Sequence, residues 1–219
     1  LSETAFAKPL GQDHFHIRWF TPKIEVKLCG HATLAAAHIL YEQGIAKSHK
    51  IILDSLSGPL AVKHEETSLI LDFPLQRVST IQDKTPFQHA LGTLEIEEVV
   101  QAYDDVIVAL DNEEAIYKLS PDFTKLLEIE ARGVIVTAPG HQYDFISRFF
   151  APRVGVNEDP VTGSAHCKLA DYWSKRLNKM EFNAFQASDR GGQLFLEIQN
   201  DRVFLRGQAV TIMEGVWKV

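Results

Sequence analysis

An internal repeat constrains the fold of this chain more than any other feature of its sequence. Segment 18–26 (RWFTPKIEV) matches segment 148–156 (RFFAPRVGV) at an offset of 130 residues. Downstream the offset becomes 133, as in the pair Gly30 and Gly163, so the second copy carries three extra residues within 157–161. An ordered set of matches with a single insertion indicates two homologous units that share one architecture.

Each unit has the pattern of strands, a glycine turn, a helix and further strands. Segment 16–26 alternates and is interrupted by Pro22, which is typical of a strand pair. A run of helix formers follows and ends at Gly44, a residue suited to the position after a helix. The equivalent helix, over 164–177, carries more charges and is predicted to be the more exposed of the two. These patterns predict an α+β fold of two pseudo-symmetric units, each a curved, mostly antiparallel sheet around a central helix.

The repeat also predicts the boundaries of the units. Residues 1–74 form the first unit and residues 75–219 the second, whose last strand can return to the first unit. Before Pro139 the second unit has a strand, a helix and another strand, and the counterparts of most of this segment would lie before residue 1. We therefore expect the first unit to be truncated at its N-terminus, the chain to be part of a longer protein, and one sheet edge to be unprotected.

Composition excludes several classes of function. The net charge of -7 over 219 residues disfavours a nucleic-acid-binding surface, because such surfaces cluster Lys and Arg. The sequence has no run of about eighteen apolar residues and no basic-then-apolar leader, so we expect no membrane partner and a cytoplasmic location. The two cysteines, Cys29 and Cys167, lack the spacing of a zinc site and are expected to be reduced thiols. The acidic residues 95–98, Asp104 and Asp105 are interpreted as a solvated face.

Both units place a glycine turn at a helix N-terminus, CGH around Gly30 and TGS around Gly163. Free backbone N–H groups make such ends anion sites, and glycine lets a ligand approach closely. A carboxylate is favoured over a polyphosphate because no phosphate-binding glycine motif is present. The alternative is that Thr162 or Ser164 simply caps the helix, a contribution of about 1 kcal/mol. The matched pair of turns favours a binding site.

Candidate acid–base groups cluster at the same turns. His31 lies at a helix start, where the macrodipole should lower its pKa and favour the neutral ring; the alternative is a core histidine. Asp159 lies among the extra residues and can bond to a turn amide or a ligand, or form an Asx turn. Glu3 has the local sequence of a surface carboxylate. The remaining histidines, His14 and His16 among them, lack a third ligand at a metal-binding spacing, so no metal site is predicted.

Four motifs resemble the phenazine-biosynthesis PhzF-like isomerase family: LSETAF, LCGHATLAAA, EDPVTGSAH and RGQAVTIMEG, in that order along essentially the whole chain. The resemblance implies a diaminopimelate-epimerase-like fold, with two similar halves and the active site between them. Family members usually begin with a further strand and loop, in agreement with the expected truncation. The resemblance also implies a cofactor-free enzyme, a small carboxylate-bearing substrate and a homodimer.

The same resemblance implies roles for residues at the turns. Glu3 would be the catalytic acid–base group, assisted by His31 and Asp159. The implied reaction is an isomerisation in which the glutamate removes a proton from one carbon and a proton is returned at another. Donors are also required where negative charge develops on the substrate. The implied substrate-binding residues are Gly30, Gly163, Ser164 and Thr162.

Two alternatives remain at this point. The neighbouring epimerase and proline-racemase families use one cysteine at each glycine turn. Here Cys29 occupies the first position, Thr162 takes the second, and Cys167 is displaced onto the helix. A two-thiol racemase is therefore disfavoured, whereas a racemase or epimerase that uses Cys29 stays open. The other alternative is a non-catalytic protein that binds small acids.

Overall fold

The computed structural model describes residues 3–66, 68–81, 83–93 and 96–216. These residues form one large mixed sheet with a small number of helices, which confirms the predicted α+β class. Most neighbouring strands pair antiparallel. None of the described helices is long and apolar enough to cross a membrane.

The first unit contributes the strands and the helix on either side of its glycine turn. In chain order they are β1 (Thr4–Gly11), β2 (His14–Phe20), β3 (Glu25–Val26), α1 (Gly30–Glu42), β4 (Lys50–Ser55), β5 (Gly58–Glu65) and β6 (Ser68–Pro74). Strands β2 and β4 pair in parallel, and α1 supplies the crossover that a parallel pair requires. Strands β4, β5 and β6 continue the sheet as an antiparallel meander.

The second unit repeats this arrangement after a set of additional strands and helices. The additional elements are β7 (Ser79–Ile81), α2 (Thr85–Leu91), β8 (Ile96–Ala102), β9 (Asp105–Leu110), α3 (Glu113–Lys118) and α4 (Phe123–Leu126). The repeated elements are β10 (Val134–Pro139), β11 (Phe145–Phe150), a 3-10 turn (Pro152–Val154), α5 (Gly163–Leu177), β12 (Glu181–Gln186), β13 (Gly192–Gln199) and β14 (Arg202–Gly207). The crossover from β11 through α5 to the parallel strand β12 matches the crossover through α1.

One hydrogen-bonded sheet runs through both units. Its order is β1-β2-β4-β5-β6-β14-β13-β12-β11-β10-β9-β8-β7, with β3 paired to β2. The link between the units is the antiparallel pair β6 and β14, in register from Pro74 with Arg202 to Leu69 with Gly207. The boundary between residues 74 and 75 stays a prediction.

An ion pair appears twice, at related positions of the two units. Arg18 donates to both oxygens of Glu25, at 2.8 and 2.7 Å. Arg148 donates to both oxygens of Glu158, at 2.7 and 2.8 Å. Each guanidinium also lies 4.9 Å from the centre of the aromatic ring two residues further on, at Phe20 and Phe150. The repeat therefore extends from the sequence to individual side-chain contacts.

Two apolar cores support this sheet. The larger core is shared by both units and contains the buried faces of α1 and α5. The smaller core packs α2, α3 and α4 against β8, β9, β10 and β11. The larger core therefore surrounds the two helices whose N-termini carry the glycine turns.

Helix α5 is the more buried of the two central helices, so the predicted order of exposure is wrong. Its residues 163–173 are all buried, whereas α1 alternates between buried and partly exposed positions. The two charged residues within 163–173, Lys168 and Asp171, are buried because they are paired. Lys168 donates to Asp104 at 2.6 Å, and Asp171 accepts from Arg77 at 2.8 Å and from Lys175 at 2.6 Å.

The acidic residues before and within β9 do not form the solvated face that the sequence predicts. Asp105 is fully buried, and only Asp104 of this pair is exposed. The Asp105 carboxylate accepts from Arg132 Nε at 2.9 Å and from Lys168 Nζ. The buried Lys168 and the partly buried Arg132 compensate the charge of Asp105, so this carboxylate can be buried. Glu95 lies outside the described residues.

Candidate active site

The two helix N-termini meet at their glycines. A Cβ atom added to Gly30 would lie 2.7 Å from the Cα of Gly163, and a Cβ added to Gly163 would lie 2.9 Å from the Cα of Gly30. Only residues without side chains allow this approach. The first N–H groups of each helix have no partner within the helix, so both ends offer donors at one place.

Helix capping does not explain the polar residues of the second turn. Thr162 occupies the N-cap position of α5, yet its side chain makes no capping hydrogen bond. Its hydroxyl donates instead to Asp159 Oδ2 at 2.6 Å. Ser164 lies in the first turn and its hydroxyl accepts from Arg132 at 3.2 Å. The side chains of this turn are therefore directed into contacts around the glycines.

Glu3 and His31 form a close pair at this point. Glu3 Oε2 lies 3.0 Å from His31 Nε2, and the Glu3 side chain is only 11% exposed. The expectation from local sequence that Glu3 is a surface carboxylate is wrong, because β1 passes over α1. His31 Nδ1 lies 2.9 Å from the carbonyl oxygen of Val161, which can only accept, so Nδ1 carries a proton and donates. The other ring nitrogen, Nε2, therefore faces the carboxylate.

The structure reverses the predicted protonation of His31. Burial acts to lower the pKa of His31, but contacts with Cys29 and Glu3 and the charge of Asp159 outweigh it and raise the pKa to about 11. Burial raises the pKa of the Cys29 thiol. Since a neutral thiol carries no charge, the two carboxylates supply the field that holds the ring protonated near neutral pH. The sequence argument considered only the helix to which His31 belongs.

Asp159 is held in a buried loop that Gln186 braces. The Asp159 side chain is 6% exposed, and its Oδ2 lies 3.9 Å from His31 Nδ1. Gln186 donates from Nε2 to the carbonyl oxygen of Asp159 at 2.7 Å and accepts from the backbone N–H of Thr162 at 2.7 Å. The side chain of Gln186 therefore fixes both ends of segment 159–162, which belongs to the loop with the three extra residues. Sequence reasoning missed Gln186, which lies at the end of β12 with no local motif.

Arg132 is a second residue that sequence reasoning missed. It lines the cavity between the helix starts, with its guanidinium 5.1 Å from the ring centre of Phe149. Burial would lower the pKa of Arg132, but the charge of Asp105 and the hydrogen bonds to it outweigh burial and raise the pKa. Arg132 thus links the buried ion cluster to the hydroxyl of Ser164. The sequence indicates Arg132 only indirectly, because the acidic residues Asp104 and Asp105 require a cationic partner if they are buried.

The predicted site residues line one narrow cavity between the two units. The cavity has a volume of about 20 Å³, which is room for one water-sized particle. The predicted residues that line it are Glu3, Gly30, His31, Asp159, Thr162, Gly163 and Ser164. A wider cleft of about 700 Å³ is lined by Glu3, His31 and the exposed alanine face of α1. Glu3 and His31 therefore border both spaces.

The two cysteines differ in their relation to this cavity. Cys29 Sγ lies 3.6 Å from His31 Nε2. Cys167 is fully buried in α5, and burial raises its pKa to about 12. Thr162 occupies the place in the second turn that Cys29 occupies in the first. A pair of thiols does not face the cavity.

Comparisons with known proteins identify the family of the chain. The model of the PhzC-PhzF family, phenazine biosynthesis-like proteins, matches residues 1–215. An uncharacterized isomerase of Pseudomonas aeruginosa is 48% identical over 215 residues, which cover 98% of this chain and 82% of that protein. The chain belongs to the PhzC-PhzF family.

Solved structures show the PhzF architecture. A PhzF-family phenazine biosynthesis protein from Enterococcus faecalis superposes with a TM-score of 0.88 at 44% identity, covering 95% of this chain and 79% of that one. A hydroxyproline epimerase from Agrobacterium vitis superposes with a TM-score of 0.67 at 11% identity, covering 94% and 71% of the two chains. The predicted resemblance to the PhzF family is confirmed, and the fold is shared with epimerases.

Proposed function

We propose that this chain is a cofactor-independent isomerase that moves a proton between carbons of a small carboxylate-bearing substrate, with Glu3 as the acid–base group. One observation carries the proposal: Glu3 Oε2 lies 3.0 Å from His31 Nε2 beside two abutting helix N-termini. The names of relatives support this class of reaction, since a relative at 48% identity is called an isomerase. A homodimer and a cytoplasmic location stay predictions.

Glu3 accepts a proton from a substrate carbon and returns a proton at another carbon. The protonated ring of His31 faces Glu3 Oε2 at 3.0 Å and orients the carboxylate beside the cleft. Asp159, 3.9 Å from His31 Nδ1, adds a second negative charge that keeps the ring protonated. His31 and Asp159 thereby assist the glutamate by fixing its position.

The helix N-termini bind the substrate carboxylate and the charge that develops during proton transfer. Backbone N–H groups at Gly30 and Gly163 are donors that need no reorganisation when negative charge appears on the substrate. Ser164 adds a hydroxyl whose oxygen accepts a hydrogen bond from Arg132, so the hydroxyl hydrogen points away from Arg132. Thr162 completes the wall of the cavity on the side of Asp159.

The body of the substrate occupies the wider cleft. Its volume of about 700 Å³ lies in the usual range for small-molecule sites, roughly 300 to 1,000 Å³. Ala32, Ala35, Ala36 and Ile39 give it an apolar wall along α1. Glu3 and His31 border both this cleft and the narrow cavity, so a substrate in the cleft can present its reacting carbon to them. A small molecule with one carboxylate and a partly apolar body fits these walls.

Deuterium incorporation tests the proposal. The protein is incubated in deuterated water with candidate cyclic and α-amino acids, and recovered compounds are analysed for deuterium at carbon. We expect exchange by the wild type and its loss in Glu3→Gln, because an amide cannot accept the proton. Glu65→Gln is the matched control, since Glu65 is an exposed glutamate paired with Arg206 at 3.3 Å. Exchange that survives in Glu3→Gln would exclude Glu3 as the base.

A one-thiol reaction is the second candidate, because Cys29 Sγ lies 3.6 Å from His31 Nε2. In that case Cys29→Ala abolishes exchange while Glu3→Gln retains part of it. A two-thiol reaction is opposed by the burial of Cys167. If no candidate exchanges deuterium but carboxylates bind at the glycine turns with saturation, the chain is a small-acid-binding protein instead.

A further inference from the structure

Three side chains beside the cavity have the composition of a metal site. Glu3, Cys29 and His31 each offer one ligand atom, and the three atoms lie within 4.8 Å of one another. We propose that these residues bind one Zn²⁺ ion and that the ion inhibits the enzyme by occupying its acid–base pair. The inhibitory effect rests on the proposed function, whereas the binding does not.

The separations of the ligand atoms suit a tetrahedral zinc ion. Bond lengths of about 2.0 Å to nitrogen or oxygen and about 2.3 Å to sulfur place two ligands roughly 3.3 to 3.6 Å apart. His31 Nε2 lies 3.0 Å from Glu3 Oε2 and 3.6 Å from Cys29 Sγ. The remaining separation, between sulfur and oxygen, falls within 4.8 Å and closes by rotation of two side chains.

The orientation of His31 also suits a ligand. Histidines that bind metals usually donate their other ring N–H to a carbonyl or carboxylate oxygen, which fixes the ring and raises its basicity. His31 Nδ1 donates to the Val161 carbonyl oxygen at 2.9 Å, with Asp159 Oδ2 at 3.9 Å. Nε2 lies 3.0 Å from Glu3 Oε2, and Cys29 Sγ lies beside the ring, 3.6 Å from Nε2 and 3.9 Å from Nδ1. The contact with Val161 is present without any metal.

The volume of the cavity fits a single ion, and the ligands can balance its charge. Its volume of about 20 Å³ admits one water-sized particle. Binding replaces the proton on Cys29 Sγ and the proton on His31 Nε2 by the ion, and both protons pass to the buffer. One thiolate and one carboxylate then balance the double charge of Zn²⁺. Three protein ligands leave a fourth position for water, as in zinc sites that are not purely structural.

The site lacks the closely spaced histidines and cysteines by which a metal site can be recognised in a sequence, and the sequence predicts no metal site here. Here Cys29 and His31 are two residues apart across a helix start, and Glu3 is the residue just before β1. No spacing rule connects Glu3 to the other two.

Metal titration with two matched cysteine variants tests the proposal. Zn²⁺ binding is measured by equilibrium dialysis on the wild type, Cys29→Ala and Cys167→Ala, and Co²⁺ is used as a spectroscopic substitute. We expect one ion per chain and a thiolate-to-cobalt charge-transfer band for the wild type and for Cys167→Ala. Cys29→Ala should lose the band and weaken binding by more than the roughly 10- to 100-fold cost of losing an outer hydrogen-bond partner of a ligand.

Glu3→Gln separates the carboxylate from the thiol. It should weaken Zn²⁺ binding and keep the charge-transfer band, because Cys29 is unchanged. The proposal is overturned if the wild type binds no stoichiometric ion, or if the band persists in Cys29→Ala. Inhibition is then tested by adding Zn²⁺ to the deuterium assay and removing it with a chelator. Zn²⁺ binding is measured without substrate, so the two proposals are tested separately. If the wild type exchanges deuterium but binds no Zn²⁺, only the cation site is overturned. If it binds Zn²⁺ but exchanges no deuterium, the result counts only against the isomerase.

Discussion

Gly30 and Gly163 face each other where the two helix N-termini meet, and neither position has room for a Cβ atom. A Cβ on either residue would approach the other Cα to within 2.9 Å or less. The two units of the repeat therefore meet at the pair of residues that also frames the cavity. Any change here acts on both the packing of the units and the binding of a substrate.

A methyl group at Gly163 should destabilise the protein. We expect Gly163→Ala to lower the free energy of unfolding by about 1 to 3 kcal/mol, the usual cost of overpacking, because backbone atoms cannot move aside as side chains do. Urea denaturation measures this effect. Gly11→Ala is the control, because a Cβ there would meet nothing within 4 Å, and it should change stability by less than about 0.5 kcal/mol. Equal effects of the two substitutions would contradict the close contact.

His31 should be protonated at a pH where most histidines are neutral. Its pKa is raised to about 11, whereas the fully buried His166 has its pKa lowered to about 4 by burial, only partly opposed by a hydrogen bond to the backbone of Thr162. Nitrogen chemical shifts at pH 8 should therefore show an imidazolium for His31 and a neutral ring for His166 in the same spectrum. His31→Gln and His166→Gln assign the signals. A neutral His31 at pH 8 would remove the basis for its assisting role.

The raised pKa of His31 also sets a dependence of stability on pH. A group whose pKa is higher in the folded state stabilises it fully below the unfolded pKa, near 6.5, and loses that effect as pH rises toward about 11. Wild-type stability should therefore fall more steeply than that of His31→Gln between these values. Denaturation at a series of alkaline pH values compares the two slopes. Parallel slopes would contradict the raised pKa.

Gln186 should matter for both stability and activity. Gln186→Ala leaves the carbonyl of Asp159 and the N–H of Thr162 without this partner, at a cost of about 1 to 3 kcal/mol for a buried group. We also expect slower turnover with a smaller change in KM, since the loop that carries Asp159 is misplaced. Gln193→Ala, which removes only an exposed bond to Asn183, is the control for both measurements.

The stability of the protein should also be sensitive to substitution in the ion cluster of Asp105, Arg132 and Lys168. Asp105→Ala leaves Arg132 and Lys168 without their shared carboxylate, and losing one partner of a buried ion pair costs about 3 to 5 kcal/mol. Thermal and urea unfolding should both show the loss. Asp54→Ala breaks only a half-exposed pair with His14 and should cost less than about 1 kcal/mol. A small effect at Asp105 would mean that the cluster contributes little.

The sequence was sufficient to predict the fold because the repeat preserves the order of elements. Glycine turns at Gly30 and Gly163 marked the helix starts, and the matched offset placed equivalent strands on either side. The predicted α+β class and PhzF resemblance follow from features that are local or periodic. Such features survive in a sequence without knowledge of long-range contacts.

Errors of prediction arose where the decisive partner is distant in sequence. Charges on α5 suggested exposure, yet Lys168 pairs with Asp104, 64 residues away. The helix dipole suggested a neutral His31, but Glu3, just before β1, reaches it. Local sequence placed Glu3 on the surface for the same reason. Burial and pairing of charges depend on tertiary contacts that neither propensity nor motif describes.

The approach of the two glycines brings together the positive ends of two helix dipoles. Each helix N-terminus carries roughly half a positive elementary charge, so the meeting of two such ends is repulsive on its own. Glu3 and Asp159 stand at this junction and act as its counterions. Glu3, the carboxylate proposed to carry the proton, thus also stabilises the contact between the two units. Removing this carboxylate would weaken that contact as well as the proposed proton transfer.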